Sequence, residues 1–365
     1  MKFIHQVEPY IPENVITAMD EYLRSGGWLT EFRKTRELEE MIAGFVGARH
    51  GVVVTSGTVA LYLALLGMGI GKGDKVIVPN YTMIASINAI VWAGAEPVIA
   101  DVEPETFCLD LDSVKLDNSC KALMYVSING RHGDMARVVD FCRENGLMLL
   151  EDAAQSLGAK SNDTYLGTFG HAGVYSFTPH KIITTGQGGI IVTDDDGIHA
   201  KVKKLKDFHR TGPATDIHDG IGFNFKFTDL QAVVGVEQMK GIDFRIQRKK
   251  EIFKRYQERL EVLPEVKFLP TDLTETPPWF VDVFLPDRET RDSLMPYLKE
   301  EGIGSRKFYP PLNHQGPYSH FKRGSFPVSE DLAHKGVWLP SSIGLTDEEI
   351  DFICSKIKTF FEKRP

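Results

Sequence analysis

The sequence predicts an α/β protein, with a large, mostly parallel sheet domain followed by a smaller C-terminal α+β domain. Two observations lead there. Short β-rich runs alternate with helical patterns through the first part of the chain, and several of those runs are continuously apolar. The last hundred or so residues then change character, to a Pro-containing stretch, one strand and two helices.

The β-rich runs are GVVVT, VIVP, EPVIADV, ALMYVSI, LMLLEDA, GVYSFT and GGIIVT, in that order. A strand covered by helices on both faces has no polar side to alternate with, so uninterrupted apolar runs point to a buried, largely parallel sheet. A long helical region follows from Thr228 to Leu260, with the charged stretch RIQRKKEIFKRYQERL inside it. Beyond FLPTDLTETPPWF, the run VDVFL reads as a strand and RDSLMPYLKEEG as a helix ending at Gly302. A loop rich in Pro and His comes next. TDEEIDFICSKIKTFFEKR closes the chain as a helix capped by Thr346. The expected division is a large domain over 1–240 and a small α+β domain over 241–365.

Composition narrows the function. With 365 residues and 42% hydrophobic content the chain can bury a large core, and a net charge of −8 opposes a dedicated nucleic-acid binder. The basic clusters Lys201 to Lys206 and Arg245 to Lys250 lie among acids in helical stretches, so solvated helix faces are expected there. The N-terminal MKFIHQVEPY has no basic stretch followed by an apolar run, and no window has the roughly 18 apolar residues of a membrane span. Four scattered cysteines, Cys108, Cys120, Cys142 and Cys354, form no C-x-x-C pair. Reduced, mostly buried thiols in a cytoplasmic protein are expected, with no metal site and no membrane association.

Three segments carry chemistry. In GVVVTSGTVALYLALLGMG a β-run ends at Thr55, and Ser56, Gly57 and Thr58 open an apolar helix. A helix start offers free N–H groups and the positive end of a dipole, which suits an anion such as phosphate. Alone, the segment is better explained as an ordinary Ser/Thr cap. In LMLLEDAAQSLGA an apolar run ends in Glu151-Asp152, with Gln155 three residues on. A carboxylate at the carboxyl end of a strand lies where open sheets bind ligands. Buried there it needs a cationic partner, and a protonated pyridine nitrogen would serve; a helix-start acid is an equal reading in isolation. In GVYSFTPHKIITTGQGGIIVTDD, Lys181 stands in a nearly uncharged run between two β-rich pieces. A desolvated lysine has a lowered pKa and forms Schiff bases with aldehydes. Ser176, a few residues earlier, is a candidate second phosphate ligand. The order of phosphate cup, acid and lysine is what a pyridoxal-phosphate enzyme requires. Asp194-Asp195-Asp196 reads as a solvated turn.

These motifs, with GDKVIVPNYTMIASINAI, GFNFKFTDLQA and LPSSIGLTDEEI, resemble the DegT/StrS family of sugar aminotransferases nearly end to end. Within that family the likeness is greatest to the perosamine synthases, which aminate C4 of GDP-4-keto-6-deoxymannose. The resemblance implies a fold-type-I aminotransferase using pyridoxal phosphate that cycles through pyridoxamine phosphate. Lys181 would be the Schiff-base lysine and the general acid/base. Asp152 would hold the pyridine nitrogen, Gln155 would lie near the ring hydroxyl, and Gly57, Thr58 and Ser176 would bind the phosphate. Asn224 would reach the cofactor of a second subunit, which implies a homodimer with shared active sites. L-Glutamate is the implied amino donor and a nucleotide-linked keto-sugar the implied acceptor, in amino-sugar or surface-polysaccharide biosynthesis.

Five positions, in four segments, depart from the family's pattern. Met83 replaces an aromatic residue that stacks on the ring, and a thioether packs less rigidly. His180 and Gln187 replace an asparagine and a glutamate around the lysine. Lys226 replaces an arginine, losing a bidentate fork. Asn313 replaces a histidine, with His314 adjacent. His180 is either a sugar or proton-relay contact or a space-filler. Arg306, Tyr309, Asn313 and His314 lie on the loop that admits substrate in relatives, and a dimer contact is an equal reading for them. A 3-keto-sugar, a free sugar or a keto-inositol stays open as acceptor, and so does a catalytically silent scaffold.

Overall fold

A computed structural model of the chain describes residues 3–212, 215–323 and 325–363. Two helices, α1 (Glu13–Arg24) and α2 (Arg33–Val46), precede the sheet. The sheet then forms from β1 (His50–Val54), β2 (Lys75–Pro79), β3 (Glu96–Ala100), β4 (Cys120–Val126) and β5 (Met148–Asp152). A small hairpin, β6 (Lys160–Ser161) with β7 (Thr164–Tyr165), interrupts it before β8 (Ala172–Ser176) and β9 (Gly189–Thr193). Helices α3 (Gly57–Gly67), α4 (Ala85–Trp92), α5 (Met135–Glu144) and α6 (Asp196–Lys206) lie between and after these strands.

The seven-stranded sheet has the order β1-β9-β8-β5-β4-β2-β3. Neighbours from β3 to β8 pair in parallel, and β9 runs against both β8 and β1. All seven runs singled out in the sequence are strands of this sheet, and the hairpin is an addition that no run announced. Alternate side chains enter opposite cores, as the two-residue period of a strand requires. Val52, Val54, Ala122, Met124 and Val174 pack with α3, α4 and α6. Val53, Tyr175, Ile190 and Val192 face α2 on the other side, and Leu123, Tyr125 and Leu149 face α5. Both faces are covered, which is why the strands read as unbroken apolar runs.

The expected long helical region is two helices, α7 (Asp229–Lys240) and α8 (Ile242–Leu260). Gly241, at φ −103° and ψ 19°, leaves the helical region between them, at small steric cost for a residue without Cβ. The rest of the chain supplies β10 (Val281–Phe284), α9 (Arg288–Glu300), β11 (Arg306–Lys307), α10 (Pro327–Lys335), β12 (Gly336–Leu339) and α11 (Asp347–Glu362). The last three strands make a sheet ordered β10-β12-β11, and Thr346 caps α11 in a full capping box. Among the described residues no helix is long and apolar enough to cross a membrane. All four cysteines are buried free thiols.

The basic clusters differ from the solvated faces expected of them. Lys201 and Lys203 are exposed, but Lys206 is buried, donating to Glu39 Oε1 at 3.2 Å and Val53 O at 3.1 Å. On α8, Arg245 and Lys249 are buried in line with Ile252, Phe253 and Tyr256. Counting charges along a helix does not give its phase, and these residues occupy the inward face at i, i+4 spacing.

One buried ion pair ties the large sheet to the C-terminal sheet. Arg131, just after β4, grips Asp282 of β10 with both terminal nitrogens, at 3.1 and 2.6 Å, and donates from Nε to Thr106 O at 3.1 Å. Both side chains are almost fully buried. Removing one partner strands a charge, so Asp282→Ala is expected to lower unfolding stability by on the order of 3–5 kcal/mol. The double replacement Arg131→Met with Asp282→Leu is expected to recover most of that loss. Chemical denaturation of the three proteins measures both effects.

Candidate active site

The parallel strands end along one edge of the sheet, and the sequence-selected residues gather there. Val54 ends β1 and leads into Ser56, whose side chain caps α3 by accepting from Val59 N at 3.2 Å. The first N–H groups of α3, at Gly57 and Thr58, have no partner within the helix. Ser176 ends β8 directly beside them. A Cβ built on Gly57 would lie 3.0 Å from Ser176 Cβ and 3.2 Å from its Oγ. Only glycine leaves this gap open, and the gap is lined by helix-start N–H groups and hydroxyls. That donor set matches a phosphate.

Asp152 ends β5 and is 5% exposed. Its Oδ2 accepts from Ser86 Oγ at 2.7 Å and its Oδ1 from Ala154 N at 3.2 Å, while Thr82 Oγ1 backs Ser86 at 2.8 Å. Burial pushes its pKa up, and Ser86, Ala154 and the positive charge of Lys181 pull it down. These hydrogen bonds hold the carboxylate but do not neutralise it, so the site favours a cation at the sheet edge. Its neighbour Glu151 points to the opposite face and is fully buried, accepting from Gly167, Phe169 and Gly170 N–H at 2.6, 2.6 and 2.8 Å. Burial raises Glu151 to about 7 against those three hydrogen bonds. Glu151 therefore shapes the 167–170 turn, and Asp152 is the acid that faces the site. Gln155 is anchored by Asn129 N, which donates to its Oε1 at 2.8 Å.

Lys181 sits on a turn closed by its own N–H to Thr178 O at 3.0 Å. Its ammonium lies 3.7 Å from the centroid of the Trp279 ring. The Trp279 indole N–H donates to His180 O at 2.8 Å, so one buried aromatic both backs the amine and holds its turn. Desolvation lowers the Lys181 pKa to about 7, and the nearby Asp152 charge opposes that shift. An amine neutral near pH 7 is a competent nucleophile toward an aldehyde. Trp279 was not singled out in the sequence, and its one trace is an aromatic pair closing the Pro-rich run TETPPWF. His180 is lowered to about 4, by burial first and then by Lys181, Arg306 and Lys249.

The other selected residues are dispersed around this centre. Tyr309 stands close enough for the Asp152 charge to raise it, and burial is the main reason its pKa reaches about 12. The Arg306 guanidinium lies 5.6 Å from the rings of Tyr309 and Trp338. Asn313 is buried, with its amide shared between Asn80, at 3.0 Å, and Glu330, at 2.8 Å. That network joins the C-terminal loop to the end of β2. His314 is exposed and pairs with Glu330 at 3.2 Å. Lys226 is held by Asp207 at 2.6 Å, and Asn224 is exposed on a strand bridge to Asp207. Met83 is 43% exposed. Asp195 caps α6, while Asp194 and Asp196 bind Arg49. Among the described residues there is no group of three or more His, Cys, Asp or Glu placed to hold a metal ion.

An anion cradle, a buried carboxylate at the end of β5 and a desolvated amine on the turn after β8 together fit pyridoxal phosphate. Residues 9–358 match the family model described as the DegT/DnrJ/EryC1/StrS aminotransferase family. The chain is 35% identical to GDP-perosamine synthase of Vibrio cholerae over 97% of its own length and 98% of that protein. It is 33% identical to GDP-perosamine synthase of Escherichia coli O157:H7 over the whole of both chains. Among solved structures, DesI in the presence of its TDP-sugar product superposes with a TM-score of 0.90 at 28% identity, over 99% of this chain and 93% of that one.

Three outcomes follow from the geometry and electrostatics of the site. Gly57→Ala places a methyl group in the cradle, so the folded protein is expected to bind pyridoxal phosphate about tenfold more weakly, or worse, by equilibrium titration. In the apoprotein, the rate of Schiff-base formation with pyridoxal phosphate is expected to rise with pH about a midpoint near 7, because only the neutral amine reacts. Asp152→Asn removes the charge that raises Lys181, so that midpoint is expected to move lower.

Proposed function

The chain belongs to the DegT/DnrJ/EryC1/StrS aminotransferase family, and from that premise we propose that it moves the amino group of L-glutamate to C4 of a nucleotide-linked keto-sugar. GDP-4-keto-6-deoxymannose is the acceptor best supported, because full-length relatives at 33 and 35% identity are named GDP-perosamine synthase. The enzyme is an aminotransferase that uses pyridoxal phosphate and cycles through pyridoxamine phosphate. The observation that carries the reading is Asp152 and Lys181 brought within electrostatic reach at the sheet edge, beside the Gly57–Ser176 cradle.

The bound cofactor supplies an electron sink for the carbanion that forms when a substrate carbon loses its proton. In this reading Ser56, Gly57, Thr58 and Ser176 would hold the phosphate, and Asp152 would keep a proton on the pyridine nitrogen. Gln155, its amide fixed by Asn129, and Met83 would contact the cofactor ring. With the cofactor bound, the Lys181 amine would be the base that takes the proton from the donor's Cα and, in the second half-reaction, the acid that returns a proton to C4 of the sugar. Trp279 holds the lysine turn still while this happens. His180, Lys226, Arg306, Tyr309, Asn313 and His314 are assigned to the sugar side, with Asn313 acting through the Asn80 and Glu330 network rather than by touching the sugar.

The same reading takes residues 1–240 as the cofactor domain and 241–365 as the small domain, in a homodimer with shared active sites. Asn224 is exposed on a segment where Ile221 is 89% and Ile217 66% exposed, and Trp28 and Leu29 are also open. Apolar side chains in that number call for a protein partner. A second copy would account for them, and the family resemblance would then put Asn224 at the cofactor of the partner subunit.

A panel of nucleotide-linked and free keto-sugars, incubated with enzyme and glutamate and read by mass, tests the assignment. The expected product gains one amino group on the GDP-linked 4-keto-6-deoxyhexose and forms 2-oxoglutarate in equal amount. Amination of a 3-keto-sugar or keto-inositol instead would replace the acceptor and leave the reaction class standing. Lys181→Ala is expected to fold, to retain cofactor without a Schiff base, and to turn over at least about 100-fold more slowly. Borohydride reduction and peptide mass analysis read the first property, and a glutamate half-reaction assay reads the last.

A further inference from the structure

The residues that follow β2 and β3 hold the C-terminal loop at the edge of the large sheet. Asn80, directly after β2, is fully buried. Its N–H donates to Ala100 O and its carbonyl accepts from Leu312 N, each at 2.7 Å. Its Oδ1 accepts from Asn313 N at 3.1 Å, which fixes the orientation of the amide. Its Nδ2 then donates to Asn313 Oδ1 at 3.0 Å and to Ser329 Oγ at 2.8 Å. Every donor of Asn80 is used in this way, and none is left for a substrate. Asp101, directly after β3, accepts from Val328 N and Ser329 N at the start of α10, both at 3.0 Å. The ring of Tyr81, next to Asn80, lies 6.0 Å from that of Phe308 and 6.2 Å from that of Tyr309.

We propose that Asn80 is a positioning residue for the keto-sugar acceptor: its amide pair with Asn313 sets the placement of residues 306–314, and the sugar half-reaction depends on it while the glutamate half-reaction does not. The inference rests on the reading above that this segment faces the acceptor. The reacting groups themselves have other holders, Trp279 for the Lys181 turn and Ser86 and Ala154 for Asp152. The amide pair also has a direction. Asn313 turns its oxygen to Asn80 and its nitrogen to Glu330 Oε1, at 2.8 Å. Asn80→Asp has the same shape but sets an oxygen against Asn313 Oδ1, and two buried acceptors face to face are unfavourable. Turning the Asn313 amide over moves the conflict to Glu330 and does not remove it. Glu330→Gln does remove it, because the new amide donates to the turned Asn313.

The test measures the two half-reactions of the holoenzyme separately. Loss of the cofactor's visible band on adding glutamate reads the first, and amination of the keto-sugar by the pyridoxamine-phosphate form, followed by mass, reads the second. Wild-type activity in both halves is the test of the function proposed above, so only the ratio of the halves in the variants tests Asn80. Asn80→Asp is expected to keep the cofactor spectrum and to lower kcat/KM for the sugar about tenfold or more, while the glutamate rate changes by less than about twofold. Asn80→Asp combined with Glu330→Gln is expected to recover most of the loss, which relief of a packing defect would not produce. Equal losses in both halves, no loss in either, or no recovery in the double variant would overturn the proposal. Should Asn80→Asp fail to fold, Asn80→Ser, which keeps an acceptor for Asn313 N and drops the amide donors, is read by the same split, and equal losses in its two halves overturn the proposal.

Discussion

Two opposite charges kept from water at one edge of the sheet govern the rest of this molecule. Asp152 cannot be neutralised by the Ser86 and Ala154 donors that hold it, and Lys181 cannot keep its proton at ordinary lysine pKa where it lies. The charge of each favours the charge of the other, after Ser86 and Ala154 in the case of Asp152, and each is useful because the compensation is incomplete. The carboxylate still attracts a cation, and the amine is still free to react. The covered sheet, the aromatic wall behind the lysine and the buried Arg131–Asp282 clasp all keep solvent from relaxing that pair.

The lysine turn is held from three sides, and none of the holders is a nearby residue in sequence. Trp279 binds His180 O, Arg245 binds Ile182 O, and Gln238 Oε1 accepts from Thr184 N at 2.8 Å. A Schiff-base lysine swings between two carbons during a catalytic cycle, so a rigid turn confines the motion to the side chain. Holding the turn by its backbone leaves the lysine's four methylenes free. Of the departures from the family's usual residues, His180 lies within this frame, whereas Met83 is exposed and Lys226 partly buried outside it.

Much of the fold was legible because the sheet is covered on both faces. Burial on both sides removes polar alternation, and so GVVV, LMLLED and GGIIVT announce themselves as strands. The β6–β7 hairpin was not legible, since two-residue strands carry no period. The break at Gly241 was passed over because glycine inside a helical pattern is ambiguous between a weak helix residue and a terminator. The inward phase of Arg245, Lys249 and Lys206 was hidden for a related reason: basic residues on a charged helix look alike whichever way they face.

The order of cradle, acid and lysine along the chain is a property of the sequence, and it pointed to the cofactor; the reaction class came from the resemblance of the motifs to the sugar aminotransferases. Chemistry that depends on residue type at the ends of successive strands survives in one dimension because strand ends recur at regular intervals. Which of Glu151 and Asp152 faces the site was settled only by the alternation of a folded strand, which sends one carboxylate to the 167–170 turn and the other to the sheet edge. The partnership of Trp279 with Lys181, across nearly a hundred residues, likewise came from tertiary packing alone. Such contacts carry no periodic or local signal, because they are made by whichever side chains the closed fold brings together.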